Sequence, residues 1–177
     1  QFIPPELRED SGEVEAAARR ALPELVEAGD IKGDLHMHSD YTDGEVPIEK
    51  MAKAAIALGY EYIAITDHSK STTVAGGLDE KAIEKQIKEI DALNKRLKGF
   101  RVLKGIEVDI LKDGSLDLGD GILSRLDIVI ASVHSHFSMS EVDMTKRIKA
   151  AMRNRYVSVI GHPTGRLIGR RPPYNIN

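Results

Sequence analysis

From residue 31 onward, short runs of β-branched and other apolar residues alternate with longer stretches whose apolar positions recur at helical spacing. This alternation predicts βαβ units and a parallel sheet. Strands are predicted at 31–38, 60–66, 101–108, 126–133 and 157–160. Between them, Pro47 at a first-turn position and Gly59 after Leu58 bracket one helix. Asp79 caps a longer helix to about Leu97, with Ile83, Ile87, Ile90, Leu93 and Leu97 on one stripe. Ser140 and Asp143 start another in capping-box style. The Gly- and Asp-rich stretch 112–121 predicts a hairpin or a loop over the sheet.

Residues 1–30 stand apart. Pro4 and Pro5 lie near the start, and the Ala- and charge-rich stretch 13–22 predicts a short helix, so this part reads as a lead-in to a domain at 31–177. The opening at Gln1 rather than Met, and the Pro- and Asn-rich tail, suggest an excerpt of a longer polypeptide. At 177 residues, with 41% hydrophobic and 30% charged, the chain has the material for one core and is too apolar for wholesale disorder. Its 25 Lys and Arg against 28 Asp and Glu give a net charge of -3, so no global positive field draws it to nucleic acid and any phosphate binding is local. Zero cysteines exclude disulfides, thiolate zinc sites and a cysteine nucleophile. With no apolar stretch of about 20 residues and no signal-peptide layout, the expected location is the cytoplasm, away from membranes.

The unusual residues gather at one place in each repeat, the C-terminal end of a predicted strand or the loop just after it. His36 and His38 end the first strand, Asp67 and His68 the second, Glu107 the third, His134 the fourth and His162 the fifth. In parallel α/β architectures that edge is where active sites are built. In an extended strand, i and i+2 share a face, so His36 and His38 can converge on one ion while Met37 packs the other way. A carboxylate such as Asp67 beside His68 can orient the second nitrogen of a ligand. Glu107 ends an apolar strand, where a buried carboxylate is costly unless a cation offsets it; the plainer readings are a pair with Lys104 or exposure to solvent. Asp109 shares its face and ranks below it. The proline after His162 favours an extended, stiffly presented ligand. His136 lies further into its loop and reads as a rim residue.

Each of these histidines has an ordinary explanation alone. Five of six at strand ends, with the sixth two residues away, points to metal. A His-rich set suits Zn, Mn or Fe rather than Mg or Ca. The number of ligands implies two or three ions, with Glu107 suited to bridge a pair in the manner of two-metal phosphoesterases. Arg166 with Arg170 or Arg171, directly after His162, are candidates to hold phosphate by bidentate contacts, and Lys70 is a weaker one.

The segments Gly-Asp-Leu-His36-Met-His38-Ser, Tyr-Thr-Asp43-Gly, Ile-Thr-Asp67-His68-Ser, Gly-Ile-Glu107, Ser-Val-His134-Ser and Gly-His162-Pro together resemble the polymerase and histidinol phosphatase (PHP) domain over about residues 31–177. Pro-Pro-Glu-Leu-Arg-Glu before them and Gly-Arg-Leu-Ile-Gly-Arg-Arg after them resemble the C-terminal PHP region of bacterial and archaeal family X DNA polymerases. The resemblance implies an α/β fold, a distorted (β/α)7 TIM-like barrel, here truncated after about five βα units. It implies a trinuclear Mn or Zn cluster: His36, His38 and Glu107 on the first ion, Glu107, His134 and His162 on the second, Asp43 with His68 on the third. Asp43 enters by resemblance only. Glu107 and His134 are the candidate catalytic residues.

The implied activity is metal-dependent 3'-5' exonuclease or 3'-end processing of DNA beside a polymerase portion in a longer native chain. A late Asp-x-His pair that completes the family pattern is not reached by residue 177, and five strands do not close a barrel, which leaves an edge for the rest of a longer chain or for a second copy. Two alternatives stand beside it: a phosphatase for a small phosphomonoester of the histidinol phosphate kind, and a non-catalytic PHP module that stabilises a polymerase.

Overall fold

The computed structural model describes residues 1–177, which divide into two compact units, Gln1–Ile31 and Lys32–Asn177. In the first unit, helix α1 (Glu13–Ala18) follows Gly12, whose φ of 96° only glycine adopts freely. The Glu13 carboxylate accepts the backbone N–H groups of Asp10 and Ser11, so α1 starts on an acidic first turn. It stops well short of the predicted 13–22.

The second unit is a five-stranded, all-parallel sheet in sequence order: β1 (Gly33–Met37), β2 (Tyr62–Ile65), β3 (Arg101–Asp109), β4 (Ile128–Ser132) and β5 (Val159–Ile160). Helices α2 (Ile48–Ala57), α3 (Glu80–Asn94), α4 (Asp120–Leu123) and α5 (Glu141–Met152) connect them. Every predicted strand is present, with β5 cut to two residues and β3 running on to Asp109. Pro47 sits at the N-cap of α2 rather than inside its first turn, and its carbonyl accepts from Lys50 and Met51. Asp79 caps α3 by accepting from the Ala82 N–H, and Ser140 caps α5 through the Asp143 N–H. The 112–121 stretch makes a single antiparallel bridge, Ile110 to Leu116, and then the one-turn helix α4, whose Ile122 and Leu123 are buried. No helix is long and apolar enough to cross a membrane.

Period-2 alternation separates core from chemistry. Ile63 and Ile65 of β2 and Val102 of β3 pack with α2 and with Ile90 and Leu93 of α3. Ile106 and Val108 of β3, with Val129 and Ala131 of β4, pack with Ile83 and Ile87 of α3 and with Met144, Ile148 and Ala151 of α5. Burying the four α3 side chains contributes about 1.5–3 kcal/mol each, enough to fix that helix on the sheet. The intervening residues face the other way. Ala64, Leu103, Ile128 and Ile130 form a small apolar patch there, and by the same alternation Glu107, Asp109, Ser132 and His134 continue that face toward the C-terminal ends of the strands.

Candidate metal centre

Glu107 is the hub. Its backbone lies in β3, paired with Ile130 of β4 on one side and tied to the segment after β2 on the other, its N–H donating to the Asp67 carbonyl and its own carbonyl accepting from the Ser69 N–H. Its side chain is 1% exposed and touches five imidazoles. Oε2 lies 3.3 Å from His36 Nε2, 3.2 Å from His38 Nε2 and 3.1 Å from His68 Nδ1. Oε1 lies 3.3 Å from His134 Nε2 and 2.9 Å from His162 Nε2. Lys104, the plainer partner foreseen for Glu107, pairs instead with Asp91 at 3.2 Å.

Local structure explains how β1 delivers two of these rings. The β1–β2 register shifts between Asp34 and Met37, and the Asp34 carboxylate takes the His36 N–H in place of a ladder partner. The Thr66 hydroxyl accepts from the Met37 N–H and donates to the Met37 carbonyl, closing the irregularity. Met37 packs into the apolar layer while His36 and His38 both reach Oε2. Asp43, on the loop after β1, accepts from or contacts two of the rings: its Oδ1 is 2.8 Å from His38 Nδ1 and its Oδ2 is 3.5 Å from His68 Nε2. His162 arrives in a backbone conformation other than the extended one its proline suggested, with φ at 26°. That left-handed value costs about 1–3 kcal/mol for a non-glycine residue, and strain of this kind concentrates where a side chain must be aimed. Gly161 before it is closely packed, since a Cβ there would run into Ser132 Oγ and Ile130 Cγ2.

The donor set fits metal. Three groups bring their ligand atoms within 4.8 Å of one another: His36, His38 and Glu107; His38, Asp43 and His68; His68, Glu107 and His134. Donor atoms that share a tetrahedral ion at about 2.0–2.1 Å stand roughly 3.3 Å apart, the spacing found around Glu107. His68 Nδ1 is buried and, although 3.1 Å from Oε2, makes no hydrogen bond of acceptable geometry, as expected of two atoms that converge on a third. Nitrogen and carboxylate donors without sulfur suit Zn, Mn or Fe.

Electrostatics follow from this packing. Burial pushes the Glu107 carboxyl up, but the imidazoles of His134, His162, His36 and His38 outweigh it and hold Glu107 far below the usual carboxylate range. Burial lowers His134, yet its contacts with Asp109 and Glu107 raise it to about 9. His68 is lowered, chiefly by burial, while His38 is raised against burial by Glu107 and Asp43. For the metal-free chain, a folded pKa raised from 6.5 to about 9 makes His134 stabilising below pH 6.5, a contribution lost as pH rises through 9. The loss is up to about 3 kcal/mol. In EDTA, the melting temperature should therefore fall by roughly 6–12 °C between pH 6.5 and 9.5. The fall should shrink in His134→Gln; a melting temperature that rises across the interval contradicts the assignment.

Around this hub lies an open cleft of about 710 Å3, lined by His36, His38, Asp43, His68, Glu107, Asp109, His134 and His162 and walled by loops 71–75 and 165–171. Arg166 and Arg171 line it, and Arg170 does not. Arg171 lies over the Phe137 ring at 3.8 Å and donates from Nε to the Gly165 carbonyl, which fixes its stem. Lys70 is turned away, 2.7 Å from Glu80. His136, at φ 55°, lines a separate cleft with Lys112 and Lys146.

Asp67 does not orient His68. It is fully buried and accepts from Ser39, Thr42 and Gln86. Two other carboxylates do sit behind ring nitrogens that face away from Glu107: Asp43, 2.8 Å from His38 Nδ1, and Asp109, 3.1 Å from His134 Nδ1. Nor did the sequence single out Arg147, 1% exposed, whose guanidinium donates to the carbonyls of Ile110, Leu111 and Ser135 and so ties together the loops after β3 and β4.

Comparison with known proteins places this arrangement. The chain is 53% identical over 176 residues, 99% of its length, to the DNA polymerase/3'-5' exonuclease PolX of Bacillus subtilis strain 168, of which it spans 30%. It is 35% identical over 136 residues to a probable phosphatase of Thermoanaerobacter sp. strain X514, covering 73% of this chain and 53% of that protein. A probable phosphatase of Acetivibrio thermocellus matches at 35% over 135 residues, again covering 73% of this chain and 53% of the relative. The PHP domain model aligns with residues 34–169, a span that holds every histidine around Glu107, and the chain belongs to the PHP domain family.

Proposed function

We propose that this chain is a metal-dependent phosphoesterase module of a family X DNA polymerase that processes DNA 3' ends. Its sheet would form part of a distorted (β/α)7 TIM-like barrel completed in the longer native protein. One observation carries the chemistry: the two oxygens of Glu107 face separate sets of imidazoles, His36, His38 and His68 on one side and His134 and His162 on the other. A carboxylate flanked in this way would be able to serve more than one ion. Two or three ions of Mn, Zn or Fe would be held by His36, His38, Asp43, His68, Glu107, His134 and His162. When bound, such ions supply Lewis-acid stabilisation of phosphoryl oxygens and a nucleophile at neutral pH. Arg166 and Arg171, on the cleft wall, would hold the phosphate, Arg171 with its stem already fixed on Phe137. Arg170, outside the wall, is assigned no contact.

DNA is favoured as substrate because the similarity to the B. subtilis polymerase extends over 99% of the chain, residues 1–30 included, whereas the probable phosphatases align with 73%. A small-molecule phosphatase is the second reading, favoured by those relatives' names and by the net charge of -3. The test is hydrolysis by the Mn-loaded chain of 3'-labelled single-stranded DNA and of p-nitrophenyl phosphate, with His134→Ala as control. Release of 3' nucleotides, reduced at least about 10²-fold in His134→Ala, is expected. Turnover of the phosphomonoester alone establishes the second reading. Bound ions with no turnover of either substrate support a non-catalytic role in stabilising a polymerase.

A further inference from the structure

We propose that Asp109 is a positioning residue that fixes the ring of His134, holding the proton on Nδ1 so that Nε2 is the nitrogen presented to the metal centre. The inference rests on the metal-centre reading above. Asp109 is 3% exposed, and both oxygens of its carboxylate are engaged. Oδ1 lies 3.1 Å from His134 Nδ1, and Oδ2 accepts the Thr72 hydroxyl at 2.6 Å. His134 is the only charged or titratable group in direct contact with its carboxylate, the buried Arg147 guanidinium acting on it at longer range. The opposite nitrogen of that ring, Nε2, lies 3.3 Å from Glu107 Oε1.

The fold supplies this geometry through register. Asp109 pairs with Ser132 across β3 and β4, so His134, two residues past Ser132, lies on the same face one step further along. The main chain of Asp109 is pinned as well. Its N–H donates to Ser69 Oγ at 3.0 Å and to Asp117 Oδ1 at 3.2 Å, while Asp117 also accepts from Ser69 Oγ and from the Ser71 N–H. One carboxylate thus links a ring of the centre to loop 71–75, which walls the cleft. A carboxylate that takes the second N–H of a metal-bound imidazole fixes its tautomer and raises its basicity; losing such a partner typically costs 10–100-fold in metal affinity.

Two measurements test this. In the Zn-loaded wild-type chain, long-range 1H–15N correlation spectra should show His134 protonated on Nδ1 and ligated through Nε2. Calorimetric titration with Zn should show one class of site weakened 10–100-fold in Asp109→Ala and less in Asp109→Asn, whose amide oxygen can still accept the Nδ1–H, with the other sites unchanged. A merely structural role would lower the melting temperature and weaken all sites together. His134 protonated on Nε2, or wild-type Zn affinity in Asp109→Ala, overturns the proposal while leaving the metal centre intact. If Asp109→Ala fails to fold, the wild-type spectrum decides alone. A wild-type chain that takes up no Zn, Mn or Fe removes the centre and this assignment with it.

Discussion

Glu107→Gln is expected to abolish phosphoester hydrolysis, by about 10³-fold or more, and to reduce bound metal to one ion per chain or none. The substitution preserves shape and removes what the site needs. The glutamate offers an oxygen to each of two groups of imidazoles, one of three rings and one of two. A glutamine offers one oxygen to one group and an amide donor to the other, which can neither ligate nor bridge. It also withdraws the negative charge that would offset the repulsion between two bound cations. Because the exchange keeps the side-chain shape and the backbone is held by pairing with β4 and by hydrogen bonds to Asp67 and Ser69, the fold itself should survive it. Metal content after gel filtration, with hydrolysis assayed on the same sample, checks both halves. A variant that keeps two ions and a tenth of the activity would show that Glu107 is a buried counter-charge and not a bridge.

The parts of this architecture that could be read from the chain are those fixed by local periodicity. Four of the five stripe positions, Ile83, Ile87, Ile90 and Leu93, are buried on α3 as expected, while the helix ends at Asn94 and leaves Leu97 beyond it, partly buried against the same layer. The five strands follow from apolar runs in the same way, and because they are parallel and in sequence order, strand-end histidines from distant repeats arrive at one edge. Gathering His36, His68, His134 and His162 around Glu107 therefore required only strand positions and direction. What stayed hidden depends on partners that no local pattern names. Asp109 meets Thr72 and His134 across 37 and 25 residues, and Arg147 caps carbonyls 36 and 37 residues away. Adjacency in sequence misleads at Asp67, whose carboxylate meets Ser39, Thr42 and Gln86 rather than the ring of His68. Successive residues in extended chain point to opposite sides, so Asp67 turns from the cluster and toward Ser39. The φ of His162 escaped for a related reason: tertiary aiming of the ring overrides the local preference set by Pro163.

Asp67→Ala should be the most destabilising single change at the site, by about 4–5 kcal/mol, lowering the melting temperature by roughly 10–15 °C. Four donors converge on this fully buried carboxylate: Ser39 N–H at 2.8 Å, and Ser39 Oγ, Thr42 Oγ1 and Gln86 Nε2 at 2.6 Å each. Truncation leaves all four facing a cavity without a solvent partner. Asp67→Asn should cost less than half as much, since its amide oxygen still accepts the Ser39 N–H while the Ser39 hydroxyl can turn, and the Gln86 amide can flip, to accept from the new NH2, leaving the lost charge as the main loss. The damage should also reach the metal centre. Ser39 follows His38 and Thr42 precedes Asp43 in the chain, so the buried carboxylate holds the loop that sets the 2.8 Å contact between Asp43 Oδ1 and His38 Nδ1. Zn titration of Asp67→Asn should accordingly show weaker binding at the site shared by His38, Asp43 and His68, with the His134 side unaffected. A melting temperature within about 2 °C of wild type would instead mean that the apolar packing of Met37 and Tyr41 against the α2 layer is sufficient to hold this loop.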